Sequence, residues 1–285
     1  GLAVGFRANV WNIGAEGQLI VGALAGGGVA LAFHGVSSPF ILPLMILAGA
    51  LGGLAWAAIP AFLRTRFNAN EILTSLMLTY IAVQLLGHMV HGPWRSPTGF
   101  NFPVSRDFGD DALLPILVEG TGLHLGILLA LLAVPIFWVL MERSFLGFQV
   151  RVRGLAPGAA TYAGYKDKRI IWVGLLTGGA MAGLAGIGEA AGPIGKLQPL
   201  ISPGYGFAAI IVAFVGRLHP VGILFASLLM ALLYVGGDTA QIELKLPQAV
   251  SGVFQGMLLF FVLGADVFVR YRVRLGRTKP ATGGT

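Results

Sequence analysis

The chain of 285 residues is 56% hydrophobic, only 11% charged, free of cysteine, and carries a formal charge of +7. Soluble domains carry about 25% charged residues, so with a mean hydropathy of +0.81 this reads as a polytopic membrane protein. The missing cysteines exclude disulfides, thiolate metal centres and a cysteine nucleophile.

The 43 glycines suit helices that pack closely in lipid. The positive charge lies beside apolar runs, which fits positive-inside topology on an anionic leaflet better than nucleic-acid binding. The chain begins without Met or a signal-peptide pattern and reads as a trimmed piece of a longer protein.

In chain order, the residues before Asn12 read as the end of a helix. Asn12-Ile13-Gly14-Ala15-Glu16-Gly17-Gln18 then places three polar side chains among glycines at the mouth of an apolar run. That pattern suggests a broken helix, tolerated at membrane depth only where protein or a water-filled cavity satisfies the backbone. An intramembrane carboxylate is a functional candidate, and Glu16 reads equally well as a pathway residue or a helix N-terminal cap.

A membrane helix needs about 20 apolar residues. Eight stretches qualify, near 17–33, 40–62, 72–90, 123–141, 170–190, 200–218, 221–235 and 249–264. Asn70 and Glu71 read as a cap before the third. Residues 91–122, rich in Pro, Gly and Asp, read as an ordered external cap. His88 and His91 lack a third ligand for a metal, so no metal site is expected. Residues 142–169 form a basic loop with Arg143, Arg151, Arg153, Lys166, Lys168 and Arg169, enclosing the short helix-competent stretch Pro157–Gly164. The 178–192 run is a close-packing helix face ending near Glu189, a second carboxylate that could face a cavity.

The 200–218 stretch is the weakest span, interrupted at Pro203-Gly204-Tyr205-Gly206. Counted as a crossing, it puts loops 64–71, 142–169, 216–220 and 265–285 on one side with fourteen Lys and Arg, against four on the other. The basic loop and the 265–285 tail are therefore expected in the cytoplasm. Gly192-Pro193-Ile194-Gly195-Lys196 is followed by Leu197, so no phosphate loop forms. No zinc-protease or nucleophile-elbow motif occurs either. No catalytic residue is expected, and an ATP engine would have to be another chain. A single membrane domain over 1–285 follows. An ion- or proton-coupled secondary transporter remains the alternative, with Glu16 and Glu189 as its slender basis.

Six strings carry a resemblance: NIGAEGQ at 12–18, FNANEILTSLMLTYIA at 67–82, GFQVRVRGLAPGAATYAGY at 147–165, GGAMAGLAGIGEAAG at 178–192, PGYGFAAIIVAFVGRLHPVGI at 203–223 and QGMLLFFVLGADVFVRYR at 255–272. Together they resemble the permease subunits of binding-protein-dependent ABC importers, in the branched-chain amino acid, ribose and nucleoside superfamily. The similarity is greatest to its nucleoside and simple-sugar branch. The resemblance implies an all-α polytopic transmembrane bundle of the type II ABC importer kind, in a bacterial-type inner membrane. It implies a second permease subunit, homologous or identical, and a cytoplasmic ABC ATPase that binds ATP and Mg. It also implies a substrate-binding lipoprotein docking on outer loops that include 91–122. This chain would hold no cofactor and bind no nucleic acid.

The resemblance further assigns ATPase coupling to Arg151, Gly154, Pro157, Ala159, Ala160 and Gly164, and weak polar contacts along the pathway to Asn12, Glu16 and Gln18. Four positions depart from the family pattern. Val is usual where this chain has Arg153, Asn where it has Ala156 and where it has Thr79, and Asp where it has Ala208.

Overall fold

A computed structural model describes residues 1–270 apart from 119, 246 and 248. The basic tail beyond Arg270, with Arg272, Arg274, Arg277 and Lys279, lies outside the described residues, as do Glu119 and Gln248. The described residues form helices and loops without a β-strand: α1 (Leu2–Arg7), α2 (Ala15–Ala32), α3 (Ile41–Phe67), α4 (Glu71–His91), α5 (Gly126–Trp138), α6 (Phe145–Leu155), α7 (Pro157–Tyr162), α8 (Asp167–Glu189), α9 (Tyr205–Val215), α10 (Pro220–Leu244) and α11 (Ala249–Arg270). Wider π turns extend α5 to Arg143 and α8 to Ile194.

Among the described residues, six helical segments are long and apolar enough to cross a membrane, rather than the eight expected. The clear correction is 200–218. Its helix, α9, has 11 residues and at 1.5 Å per residue is about 16 Å long, half the ~30 Å hydrocarbon core. The other is 249–264, which falls within the 22-residue α11, where several side chains lie outside the described residues.

The chain separates into two compact units, the first Gly1–Leu228 and the second beginning at Leu229. In the first, α2 and α8 are the inner helices, with 67% and 50% of their apolar windows buried against 6% for α5. Small residues let them approach: Gly49 and Gly53 of α3 face Gly179 and Gly183 of α8, and Gly22 of α2 faces Gly183. Such seams replace the hydrophobic drive that lipid cannot supply. The outer helices present rows of leucine, including Leu128, Leu129, Leu131 and Leu132, to the surroundings. α4 starts as its sequence promises, with Asn70 Oδ1 accepting from Ile72 N–H at 2.9 Å and Glu71 meeting Arg64 at 3.3 Å.

The segment after α4 is ordered by the chain following α8. Ser105 N–H donates to Leu197 O, Phe108 N–H to Gly195 O and Leu114 N–H to Ala191 O, while Lys196 pairs with Asp107 at 3.1 Å. Phe108, Ala112 and Leu114 are buried there. This is the cap end of the first unit, and the 142–169 loop is at its opposite, basic end. Within the second unit, α10 and α11 enclose an apolar cleft of about 250 Å³ lined by Leu233, Gly236, Val250 and Phe254 among others.

Candidate functional site

Two breaks in the helical framework meet inside the first unit. α1 ends at Arg7, and the chain reverses through Asn9, a non-glycine residue at φ 56°. It then runs without helical structure to Gly14, where α2 begins. Asn12 holds this passage: its Nδ2 donates to Gln18 Oε1 at 2.9 Å, while its Oδ1 accepts from Gln18 Nε2 and Gly14 N–H, each at 3.1 Å. Both side chains are 1% exposed. The Asn12 amide lies against Gly178, near the middle of the Asp167–Ile194 span. The break therefore sits at mid-depth.

The second break is the passage from Leu197 to α9. It leaves the cap end, where Leu197 N–H donates to Ser105 Oγ, and descends without regular structure to Ser202. α9 then continues to Leu218, beside Arg7. The stretch still joins the two ends of the unit, half irregular and half helical.

The two breaks join at Glu16. Its Oε2 accepts from Gly206 N–H at 2.6 Å. Ser202 Oγ accepts from Gly204 N–H and Tyr205 N–H. A Cβ on Gly206 would collide with the Glu16 backbone, so only glycine allows this approach. One acid thus sits at the N-termini of two helices, α2 and the short α9, where both macrodipoles favour negative charge. Glu16 is 6% exposed and, with Asn12 and Gln18, is satisfied from within the chain. Beside this junction, Phe6, Trp11 and Phe214 stack with ring centroids 5.2–5.7 Å apart.

The basic loop folds as two helices. Ser144 caps α6, its Oγ accepting from Gly147 N–H at 3.0 Å. Pro157 occupies the first turn of α7, and Gly164 at φ +77° follows its end. Pro157, Ala159 and Gly164 are exposed. Ala160 is 3% exposed and seats α7, its carbonyl accepting from Tyr165 N–H. Tyr162 at 97% and Leu155 at 81% are the most open large side chains on this hairpin, ahead of Phe145 and Phe148 of α6.

Arg151 and Gly154 are engaged internally. Arg151 meets Glu142 at 2.5 Å, and the other oxygen of Glu142 meets Arg7 at 2.6 Å. Gly154 packs so closely on the Arg7 carbonyl that a side chain there would clash. Arg153 pairs with Asp167 at 2.5 Å and donates to Ala8 O. A cleft of about 540 Å³ opens among Phe6, Arg7, Asn9, Glu142, Arg151, Gly154, Leu155 and Leu218.

Glu189 stands apart from both regions. It is half-buried near the cap end of α8, and no hydrogen bond or ion pair to it occurs among the described residues. Sequence reasoning missed Arg7, Glu142, Ser202 and Gly206 as site residues. Ser202 and Gly206 flank the Pro203-Gly204 interruption, the one signal that could have marked them.

Comparison with known proteins adds a family. Residues 1–263 match the model of the permease component of branched-chain amino acid transport systems. The chain is 41% identical, over its whole length and 79% of the relative's, to a glucose ABC transporter permease protein of Haloferax volcanii. It is 33% identical to a guanosine ABC transporter permease protein of Bacillus subtilis, over 92% of this chain and 76% of the other. It is 27% identical to a nucleoside ABC transporter permease protein of Lactococcus lactis, over 91% and 73%. No solved structure matches.

Proposed function

Since the chain belongs to the branched-chain amino acid transport permease family and is a multi-pass ABC importer permease, we propose that its solute is a simple sugar or a nucleoside. The observation that carries this reading is the whole-length similarity to sugar and nucleoside permeases together. We read the chain as the transport subunit alone, with ATP and Mg bound and hydrolysed by a separate cytoplasmic ATPase. A second permease subunit, homologous or identical, would complete the pathway in an inner membrane of bacterial type, and a substrate-binding lipoprotein would deliver solute at the cap end.

The α6–α7 hairpin is the proposed ATPase seat. Its open side chains, Leu155 and Tyr162, with Pro157, Ala159 and Gly164, give a small convex surface suited to a cleft, and the surrounding cations suit an acidic rim. Arg151, Gly154 and Ala160 act behind that surface by fixing the hairpin. Asn12, Glu16 and Gln18 hold the pathway wall at its break, and Glu189 offers a carboxylate for solute hydroxyls near the cap end.

The test is uptake of labelled glucose and of guanosine by proteoliposomes holding the permease, its ATPase and its binding protein. Uptake of one of them that requires ATP is expected. Uptake that persists with an inactivated ATPase and follows a proton gradient would establish the secondary-transporter alternative.

A further inference from the structure

The cluster of Arg7, Glu142 and Arg151 has a geometry that the ATPase seat does not require. Glu142 holds one arginine on each oxygen, Arg7 from the end of α1 and Arg151 from α6. Arg7 spends a second donor elsewhere: its Nε donates to Leu218 O at 2.9 Å, in the turn that follows α9. Arg7 therefore grips both the hairpin's anchor and the foot of α9. The backbone adds to this grip, because Gly154 of α6 lies directly on the Arg7 carbonyl and Arg153 donates to the next one, at Ala8.

The turn at the foot of α9 is itself under strain. Arg217 and Leu218 are successive non-glycine residues in the left-handed region, at φ 53° and 57°. Bulky side chains take that conformation only where surrounding contacts hold it. Leu218 N–H closes onto Ala213 O at 2.8 Å, and its carbonyl is the one Arg7 holds. A strained, clamped turn can adopt a second arrangement when its clamp moves. The other end of α9, only 11 residues away, is the Gly206–Glu16 junction at mid-depth.

We propose that Arg7 and Glu142 are positioning residues for transport, linking the α6–α7 hairpin to α9 so that hairpin movement shifts the mid-membrane junction. The link runs from Arg151 through Glu142 and Arg7 to Leu218, and from there along α9 as a rigid rod to Glu16. It rests on the reading of α7 as the ATPase seat. Arginine is needed at position 7 because a lysine ammonium is a single point charge. It lacks the fork that reaches a carboxylate and a carbonyl at once.

The experiment uses the assembled transporter in proteoliposomes, with labelled glucose or guanosine, whichever the wild-type complex imports. Glu142→Gln and Arg7→Lys are compared with wild type for solute imported per ATP hydrolysed. A fall of roughly 5- to 100-fold in that ratio, with the ATPase still co-purifying, is expected for both. A second readout uses the cysteine-free background: a thiol placed by Phe207→Cys, on the exposed side of α9 next to the junction, reports movement. Its labelling rate should change on ATP addition, and Glu142→Gln should abolish that change. Should Glu142→Gln fail to assemble, Arg7→Lys decides by the same two readouts. An unaltered ratio, or an ATP response that survives in the variants, overturns the link. Tyr162→Ala separates the layers: if it still releases the ATPase while the link variants transport normally, the link is wrong and the seat stands. If Tyr162→Ala leaves the ATPase bound, the seat is wrong and the link falls with it.

Discussion

Glu16 shows how one side chain can serve two elements. Replacing it with alanine leaves the N–H of Gly206 and the first turn of α2 without their anion, which should lower stability by about 1–2 kcal/mol. Glu16→Gln keeps an acceptor oxygen and should lose less. Thermal unfolding in detergent gives the order, and equal losses would show that charge rather than hydrogen bonding matters. Asn12 and Gln18 form a closed pair, so Asn12→Leu strands a buried amide at a cost of about 1–3 kcal/mol. Asn12→Leu with Gln18→Leu should cost less than the sum of the two single changes. Additive losses in the same unfolding assay would argue against the pair. These three polar residues were legible in the sequence as an irregular helix entry, because Asn, Glu and Gln among glycines cannot sit idle in lipid. Their partners were not legible: Gly206 is 190 positions from Glu16, and nothing local in either string announces the meeting.

At the scale of elements, α7 was visible in advance, since Pro157 and Gly164 mark the limits of a short helix, whereas α6 before it was read as loop. The orientation of α7 was not visible. Periodicity over 6 residues does not tell Ala159 from Ala160, yet the first is exposed and the second is 3% exposed. A bulky residue at Ala160 should therefore unseat α7 and lower stability, whereas Ala159→Trp should leave stability intact and weaken ATPase binding, by about tenfold for a contact worth 1.4 kcal/mol. Pull-down of the ATPase beside thermal unfolding separates the two effects. The 200–218 passage taught a different lesson. Its apolar content is that of a span and Pro203-Gly204 marks an interruption, but composition alone does not show that half the passage lacks helical structure. The reason lies in Ser202 and Glu16, which satisfy the freed backbone and make a half-helix stable where an isolated one would not be. Of the four departures from the family pattern, Arg153 has a structural account in its ties to Asp167 and Ala8, and Ala156 is exposed at the start of α7. Ala208 is buried at 5% exposure and Thr79 at 3%, packed against Gly17.

For the whole molecule, the distribution of charge and the apolar helices define a chain that crosses the membrane repeatedly, with the basic loop and the cap segment on opposite sides. The absence of cysteine makes this directly measurable. Phe100 in the cap segment is 93% exposed and Tyr162 in the hairpin 97%. Single cysteines at these positions in oriented vesicles should react with an impermeant thiol reagent from opposite faces, Tyr162→Cys from the cytoplasmic one. Labelling of both from one face would overturn the topology.

The Glu16–Gly206 contact also has a history within each molecule, because the two residues are made far apart in time. At about 5–20 residues per second, the 190 residues between them take roughly 10–40 s to synthesise. Throughout that interval α2 is present while the amide that caps its carboxylate does not yet exist. A ribosome stalled before Gly206 should therefore hold a nascent chain whose Glu16 still faces water or the insertion machinery. The mid-depth junction can therefore close only after Gly206 has been made.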